Sequence, residues 1–221
     1  SKEKVKVPFN VLIGFIISIL FGFFFKEQTY NILVSCKMLQ PNFKGEMIPI
    51  GMCIFYIPSI IILSIFINII YSDSTSNLIL VGITVMAFVG YLDDSNVDKE
   101  NKGLKGHIKQ LLNLKLTTGM LKAIGGLGIS FYISINLSDS FIEIILNTLV
   151  IALFTNFMNL WDLRPGRASK IFILFAVLGI IFSTLIFKFY LLIMIILTLI
   201  YIKGDLRAKY MLGDTGSNLL G

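Results

Sequence analysis

Residues 171–202 read IFILFAVLGIIFSTLIFKFYLLIMIILTLIYI, and Lys188 is their only charged side chain. The hydrocarbon core of a bilayer is about 30 Å thick and takes roughly 20 apolar residues per helix, fewer where flanking Lys or Tyr reach the interface. The stretch therefore predicts two short spans, Ile171–Phe187 and Tyr190–Ile202. It has no period-2 alternation, which favours helices over the strands of a membrane barrel.

The rest of the chain has the same character. Of 221 residues, 56% are hydrophobic and 14% charged, and the mean hydropathy is +0.85, which is too apolar for one soluble core. Five further spans are predicted before residue 171, at Phe9–Phe25, Ile48–Tyr71, Leu78–Leu92, Leu116–Leu137 and Phe141–Trp161. An eighth begins near Ser217 and is cut off at Gly221. We predict an all-α polytopic transmembrane helical bundle, one integral membrane domain over residues 1–221 that we expect to be truncated at its C-terminus.

Basic residues indicate the orientation of this bundle. The segments after the first, third, fifth and seventh spans contain 14 Lys and Arg residues, whereas loops 72–77 and 138–140 contain none. By the positive-inside rule those four segments are cytoplasmic. Lys2, Lys4 and Lys6 precede the first span and oppose this orientation, but they are outnumbered. Because the net charge of +6 is spread over these loops, we expect a membrane partner and no nucleic-acid partner.

Two adjacent carboxylates, Asp93 and Asp94, follow the third predicted span directly. They meet the negative pole of a helix dipole and they repel each other, and a cation would relieve both effects. Mg²⁺ suits this position because it binds one or two carboxylates and completes its shell with water and phosphate oxygens. Solvated turn residues are the alternative interpretation.

Polar residues also recur at the end of the fifth span. Asn156, Asn159 and Asp162 are spaced three apart and share one helical face, which at a membrane helix end usually contacts protein or ligand. Arg164 and Arg167 follow, and their guanidinium groups suit phosphate. The alternative is an interfacial helix end before a basic, topology-setting loop.

A third polar segment, MLGDTGSN at residues 211–218, precedes the eighth span. Its glycines permit close backbone approach, free amides at a helix N-terminus attract phosphate, and Asp214 can meet a metal there. An ordinary N-cap is the alternative. All three polar segments fall on the side that the basic residues assign to the cytoplasm, which favours one shared site.

The three segments together resemble the polyprenyl-phosphate sugar-1-phosphate transferases, which include phospho-N-acetylmuramoyl-pentapeptide transferase and UDP-N-acetylglucosamine:undecaprenyl-phosphate N-acetylglucosamine-1-phosphate transferase. The residues that carry the resemblance are Asp93-Asp94, Asn156-x-x-Asn159-x-x-Asp162 and Gly213-Asp214-x-Gly216-Ser217, in the family's order. The resemblance covers residues from about 42 to 221 and implies a fold of about ten spanning helices. The Leu163–Arg167 segment departs from the family's acidic repeat, and the family's final His-containing loop would follow Gly221.

The resemblance implies an Mg²⁺-dependent enzyme, with Mn²⁺ as a substitute, that transfers a sugar 1-phosphate from a UDP-sugar to polyprenyl phosphate and releases UMP. Both reactants are anionic, so cationic screening is the main catalytic need. The expected catalytic and metal-binding residues are Asp93, Asp94 and Asp214. The expected substrate-binding residues are Lys44, Lys105, His107, Asn156, Asn159, Asp162, Arg164 and Arg167. For His107 the alternative is a surface histidine on a membrane-lying helix.

The implied setting is cell-envelope polysaccharide or peptidoglycan synthesis on the cytoplasmic face of the bacterial inner membrane, and a homodimer is left open. Two other functions remain. A non-catalytic relative that binds lipid phosphate or a protein partner is favoured by the altered Arg segment. A transporter is favoured by polar residues near the membrane, but those residues lie at loop ends rather than at mid-bilayer.

Overall fold

A computed structural model describes residues 9–95 and 118–221. Over these ranges the chain forms helices and one small hairpin. The elements are α1 (Phe9–Ser35), β1 (Leu39–Pro41), β2 (Met47–Pro49), a 3₁₀ helix (Met52–Phe55), α2 (Tyr56–Tyr71), α3 (Ser74–Ser95), α4 (Thr118–Leu137), α5 (Phe141–Trp161), α6 (Arg167–Phe182), α7 (Leu185–Asp205) and α8 (Gly213–Leu220). Strands β1 and β2 pair antiparallel. The predicted all-α polytopic bundle is confirmed.

Six helices in the described ranges are long and apolar enough to cross a membrane. Helix α6 has 16 residues and is about 24 Å long, shorter than a typical hydrocarbon core. Large apolar side chains face outward, such as Ile69, Phe141 and Phe182, which are 74%, 73% and 87% exposed. Helices that are apolar on their outer faces need lipid around them, so this is a multi-pass membrane protein.

Some boundaries differ from those predicted, each for a local reason. Ile48 lies in β2 rather than at the start of a span, because Gly51 turns the chain in the left-handed region at φ 82°. The turn between the sixth and seventh spans falls at Ser183, and Thr184 is extended before α7. Residues 185–187 therefore belong to α7. Helix α8 begins at Gly213 rather than Ser217.

Helices α2 and α7 have the largest buried share among the candidate spans. Their core side chains include Tyr56, Leu63 and Leu197, all fully buried. A polar link lies within this core, where the Tyr190 hydroxyl is 2.6 Å from the Ser64 hydroxyl and 2.5 Å from that of Ser76. Hydrogen bonds of this kind join membrane helices because lipid offers no competing partner.

The loops that carry the sequence motifs meet at one end of the bundle, which we call the polar end. It comprises the hairpin after α1, the C-terminal ends of α3, α5 and α7, and the N-terminal ends of α4, α6 and α8. Direct contacts connect these parts. Gln40 donates to the Asp94 carbonyl at 3.1 Å, the Gly166 N–H donates to Asp205 at 2.8 Å, and Ile50 forms a bridge with Met211.

Candidate functional site

The centre of the polar end is the N-terminus of α8, which Asp94 anchors to α3. One Asp94 carboxylate oxygen accepts the Asp214 N–H at 2.9 Å. The other accepts the N–H and the hydroxyl of Thr215 at 2.8 and 2.6 Å. The first turn of a helix has N–H groups without an intrahelical partner, and a carboxylate satisfies them well. Asp94 thus joins α3 to α8, and its role as a metal ligand stays a prediction.

Two glycines allow the close contact between α3 and α8. A Cβ at Gly90 would lie 2.3 Å from the Asp214 carbonyl oxygen, so α3 could not approach α8 with a larger residue there. Gly213 has φ +68°, and a Cβ on it would lie 2.6 Å from an Asp94 carboxylate oxygen. Both positions therefore need glycine, the second also for its left-handed backbone.

The predicted polar face at the end of α5 contacts the same helix. The Asn159 amide oxygen accepts from the Ser217 hydroxyl, and its amide nitrogen donates to Asn218 Oδ1 at 3.0 Å. Asp162 accepts the Gly213 N–H at 3.0 Å. The structure thus brings together the segments around residues 94, 159 and 214, as the sequence predicted for one shared site.

Lys122 was not among the predicted site residues, yet it contacts two of the predicted carboxylates, Asp93 and Asp214. Its Nζ donates to Asp214 Oδ1 at 2.5 Å and lies 4.0 Å from Asp93 Oδ2. Both ion pairs between described residues belong to Lys122. One signal could have found it, because an ionisable residue within an apolar span is by default a candidate for function, and Lys122 lies within the predicted span Leu116–Leu137.

Asp93 and Asp214 are the pair that best fits a divalent cation. Lys122 Nζ lies between their carboxyl groups, 2.5 Å from Asp214 and 4.0 Å from Asp93, and Mg²⁺ or Mn²⁺ needs no more than one or two protein carboxylates when phosphate and water complete the shell. Some metal sites instead surround the ion with protein ligands. In residues 9–95 and 118–221, no group of three or more His, Cys, Asp or Glu side chains is placed to hold a metal in that way. The residues present fit an open, substrate-completed metal site.

Burial perturbs the carboxyl groups of this site. It raises the pKa of Asp162 to about 8, with the charge of Asp205 acting in the same direction. Burial also raises the pKa of Asp214, reinforced by the adjacent Asp93 and opposed by Lys122. Carboxyl groups that lie close together retain protons unless cations compensate their charge. A cation bound at the polar end would therefore favour their ionised form.

A pocket of about 370 Å³ opens beside these carboxylates, between α4, α5 and α8. Its polar lining consists of Lys122, Thr155, Asn156, Asn159 and Asn218. The Asn218 amide nitrogen is buried without a hydrogen-bond partner among the described residues. A buried donor of this kind is costly unless a ligand or water accepts from it. Asn218 was also missed, although it follows the Gly213–Ser217 motif directly.

Three other predicted residues, Lys44, Arg164 and Arg167, do not line this pocket. Lys44 Nζ and Arg164 Cζ are each 5.6 Å from the centroid of the Phe43 ring, and Phe43, Asp162 and Arg164 line a cleft of about 70 Å³. Arg167 begins α6 and contacts Arg164 through the backbone, where its N–H donates at 3.2 Å. The predicted residues at positions 105 and 107 lie outside the described residues.

The fold and the site define a multi-pass helical membrane protein with a carboxylate-rich site at one end of its bundle. No protein-family model matches the chain, and a search of curated proteins finds no relative. The resemblance to the sugar-1-phosphate transferases therefore depends on the motif residues themselves.

Proposed function

We propose that this protein is an Mg²⁺-dependent enzyme that transfers a sugar 1-phosphate from a UDP-sugar to a polyprenyl phosphate, such as undecaprenyl phosphate. One observation carries the proposal. Three segments that are distant in sequence, at residues 93–94, 156–162 and 213–218, meet at one end of an apolar helical bundle. A lipid-anchored phosphate and a water-soluble nucleotide sugar can react only at such an end, where the polar site borders both solvents.

In the proposed reaction an oxygen of the lipid phosphate attacks the sugar-bearing phosphorus of the UDP-sugar. A new phosphorus–oxygen bond forms, the bond between that phosphorus and the oxygen of the UMP phosphate breaks, and UMP leaves with the electron pair. The products are the lipid diphosphate sugar and UMP. The reacting phosphates are both negatively charged, so charge compensation and alignment are the main tasks of the protein.

The site residues divide these tasks. A bound Mg²⁺, or Mn²⁺ in its place, would be held by Asp93 and Asp214 and would neutralise phosphate charge. Lys122 adds an ammonium group to the same surface. Asp94 holds α8 in position, and the side chains of Asn156, Asn159 and Asn218 line the adjoining pocket. Lys44 and Arg164 lie where they could contact a nucleotide diphosphate.

We infer that the polar end faces the cytoplasm of a bacterial cell, in the inner membrane. The positively charged Lys203 lies in the last turn of α7 at this end, and Arg207 and Lys209 follow the helix, whereas the connection at 138–140, between α4 and α5, has no Lys or Arg. The lipid-linked sugar would then serve the synthesis of an envelope polysaccharide or of peptidoglycan.

A non-catalytic membrane protein that binds lipid phosphate is the second candidate. It is favoured by the pairing of Asp214 with Lys122 at 2.5 Å, which already neutralises one carboxylate. Such a protein would use Lys122 and the neighbouring amides to hold a phosphate without transferring it.

The test is UMP release by the detergent-purified full chain from a panel of UDP-sugars, with undecaprenyl phosphate and Mg²⁺. We expect UMP only when lipid phosphate and Mg²⁺ are both present. Asp93→Asn and Asp214→Asn should each slow release about 100-fold or more, whereas Asp139→Asn, in the loop between α4 and α5, should not. Binding of undecaprenyl phosphate without UMP release from any sugar would favour the second candidate.

A further inference from the structure

A second polar pocket, of about 300 Å³, lies between α1 and the segment that connects α7 to α8. We call it the basic pocket, and its charged lining consists of Lys26, Glu27, Lys203, Arg207 and Lys209. None of the carboxylates at residues 93, 94, 162 and 214 lines it. The basic pocket is therefore separate from the proposed active site.

The basic pocket holds more positive charge than its own residues compensate. Four cationic side chains face one carboxylate, Glu27, and no ion pair within 4.0 Å joins them among the described residues. Lys26 is half-buried, and its Nζ donates to the Ile200 carbonyl at 2.9 Å. It lies within electrostatic range of Lys203 and Lys209. Like charges held together in this way are stabilised by a bound anion.

Exposed apolar side chains lie next to the cations, on the side toward the middle of the membrane. Phe23 is one turn before Lys26 on α1, and Leu199 is one turn before Lys203 on α7, so each pair shares a helical face. Phe23 is 60% exposed and Leu199 is 55% exposed. Both helices run toward the polar end, so these side chains lie deeper in the membrane than the cations. A charged group at the bilayer surface that carries acyl chains matches this arrangement.

The floor of the pocket is fixed by aromatic rings. The Tyr30 and Tyr210 rings pack edge to face with centroids 6.3 Å apart, and Lys26 Nζ lies 5.9 Å from the Tyr210 ring centroid. The Tyr210 hydroxyl donates to the Tyr201 carbonyl at 2.8 Å. Because this hydroxyl is already engaged, Tyr210 supports the wall, and the exposed Lys203, Arg207 and Lys209 remain to bind an anion.

We propose that the basic pocket binds the phosphate headgroup of an anionic phospholipid, with the acyl chains along Phe23 and Leu199. Basic pockets between membrane helices bind anionic lipid headgroups when their cations lie at the level of the membrane surface. Glu27 opposes the phosphate, but the surrounding cations exceed it by three charges. The site does not depend on sugar transfer, because it shares no charged residue with the proposed active site.

The probe is phosphatidylglycerol, with phosphatidylcholine as the zwitterionic reference, and lipid binding to the detergent-purified full chain is counted by native mass spectrometry. We expect one phosphatidylglycerol to remain bound where phosphatidylcholine is lost. The double variant Lys203→Gln/Arg207→Gln should weaken this binding about 30-fold, from the contribution of two cations near a membrane surface. Lys170→Gln removes an exposed charge from α6 and is the matched control, with wild-type binding expected.

Unchanged affinity in the double variant, or an equal loss in Lys170→Gln, would overturn the proposal. A separate arm replaces the lipid with inorganic phosphate and with glycerol 1-phosphate. If either binds as tightly as phosphatidylglycerol, the pocket is a site for soluble phosphate rather than for a lipid. Gel filtration and thermal unfolding of every variant establish that the protein is folded when binding is measured.

Discussion

Replacement of Asp94 by Ala removes the acceptor of three hydrogen bonds at the start of α8. Two backbone N–H groups would lose a charged partner at a site where Asp94 is only 7% exposed. Hydrogen bonds to charged groups contribute roughly 1.5 to 3 kcal/mol each. Relief of the repulsion between Asp94 and Asp214 offsets part of that loss. We therefore predict that Asp94→Ala lowers the free energy of unfolding by about 3 kcal/mol.

The neighbouring Asp93 provides the matched control. Its carboxylate lies 4.0 Å from Lys122 Nζ and is partly exposed, so Asp93→Ala should change the free energy of unfolding by less than about 1 kcal/mol. Unfolding in mixed micelles with increasing SDS can be followed by the fluorescence of Trp161, the single tryptophan of the chain. EDTA is present throughout, so that metal binding does not contribute to stability.

Equal destabilisation by the two substitutions would refute this division of roles. So would a stable Asp94→Ala protein in EDTA, because the hydrogen bonds at α8 would then contribute nothing. Activity cannot make the distinction, since loss of either carboxylate is expected to abolish UMP release.

Three further predictions concern the same end of the bundle. Lys122→Gln should tighten Mn²⁺ binding about tenfold, because an ammonium no longer competes for Asp214; weaker binding, measured by electron paramagnetic resonance, would contradict this. Gly90→Ala should cost about 2 kcal/mol or more in SDS unfolding because its Cβ meets backbone, whereas Gly128→Ala has no neighbour within 4 Å and should be neutral or stabilising. The raised pKa of Asp162, about 8, means that the folded protein keeps a proton that the unfolded chain releases above about pH 4. Stability in EDTA should therefore fall as pH rises from about 4 to about 8, and an unchanged slope between about pH 6 and about pH 8 in Asp162→Asn would contradict this.

The helices could be predicted from the sequence because lipid imposes a simple requirement. In lipid, the backbone N–H and C=O groups have no water to bond and must form hydrogen bonds within their own segment. Each long apolar run therefore predicts a helix. Helix α5 begins and ends at the predicted residues, Phe141 and Trp161. Boundaries were less predictable where apolar residues continue outside the helix, as at Ile48 in β2, and where only two small polar residues, Ser183 and Thr184, separate two helices.

The site could be predicted in part. The motif residues at 93–94, 156–162 and 213–217 were found because polar residues are conspicuous beside apolar spans. Lys122 and Asn218 were missed because their importance depends on which helices meet. Lys122 is on α4 and pairs with Asp214 across 92 positions of sequence. Its place within an apolar span marks it as a candidate for function, but no local pattern indicates its partner. The basic pocket could not be predicted either, because its cations come from α1, α7 and the segment after α7. In the sequence they indicate only the orientation of the helices.

The two adjacent aspartates show how the fold itself assigns roles within the site. Successive residues of a helix point about 100° apart, so Asp93 and Asp94 at the end of α3 point in different directions. Asp94 faces the amides of α8, while Asp93 faces Lys122 and Asp214. The same α8 supplies Asp214, so the hydrogen bonds of Asp94 set the distance between the two carboxylates that would hold a cation. A substitution at Asp94 should therefore weaken both the fold and metal binding, whereas one at Asp93 should weaken metal binding with a smaller effect on the fold.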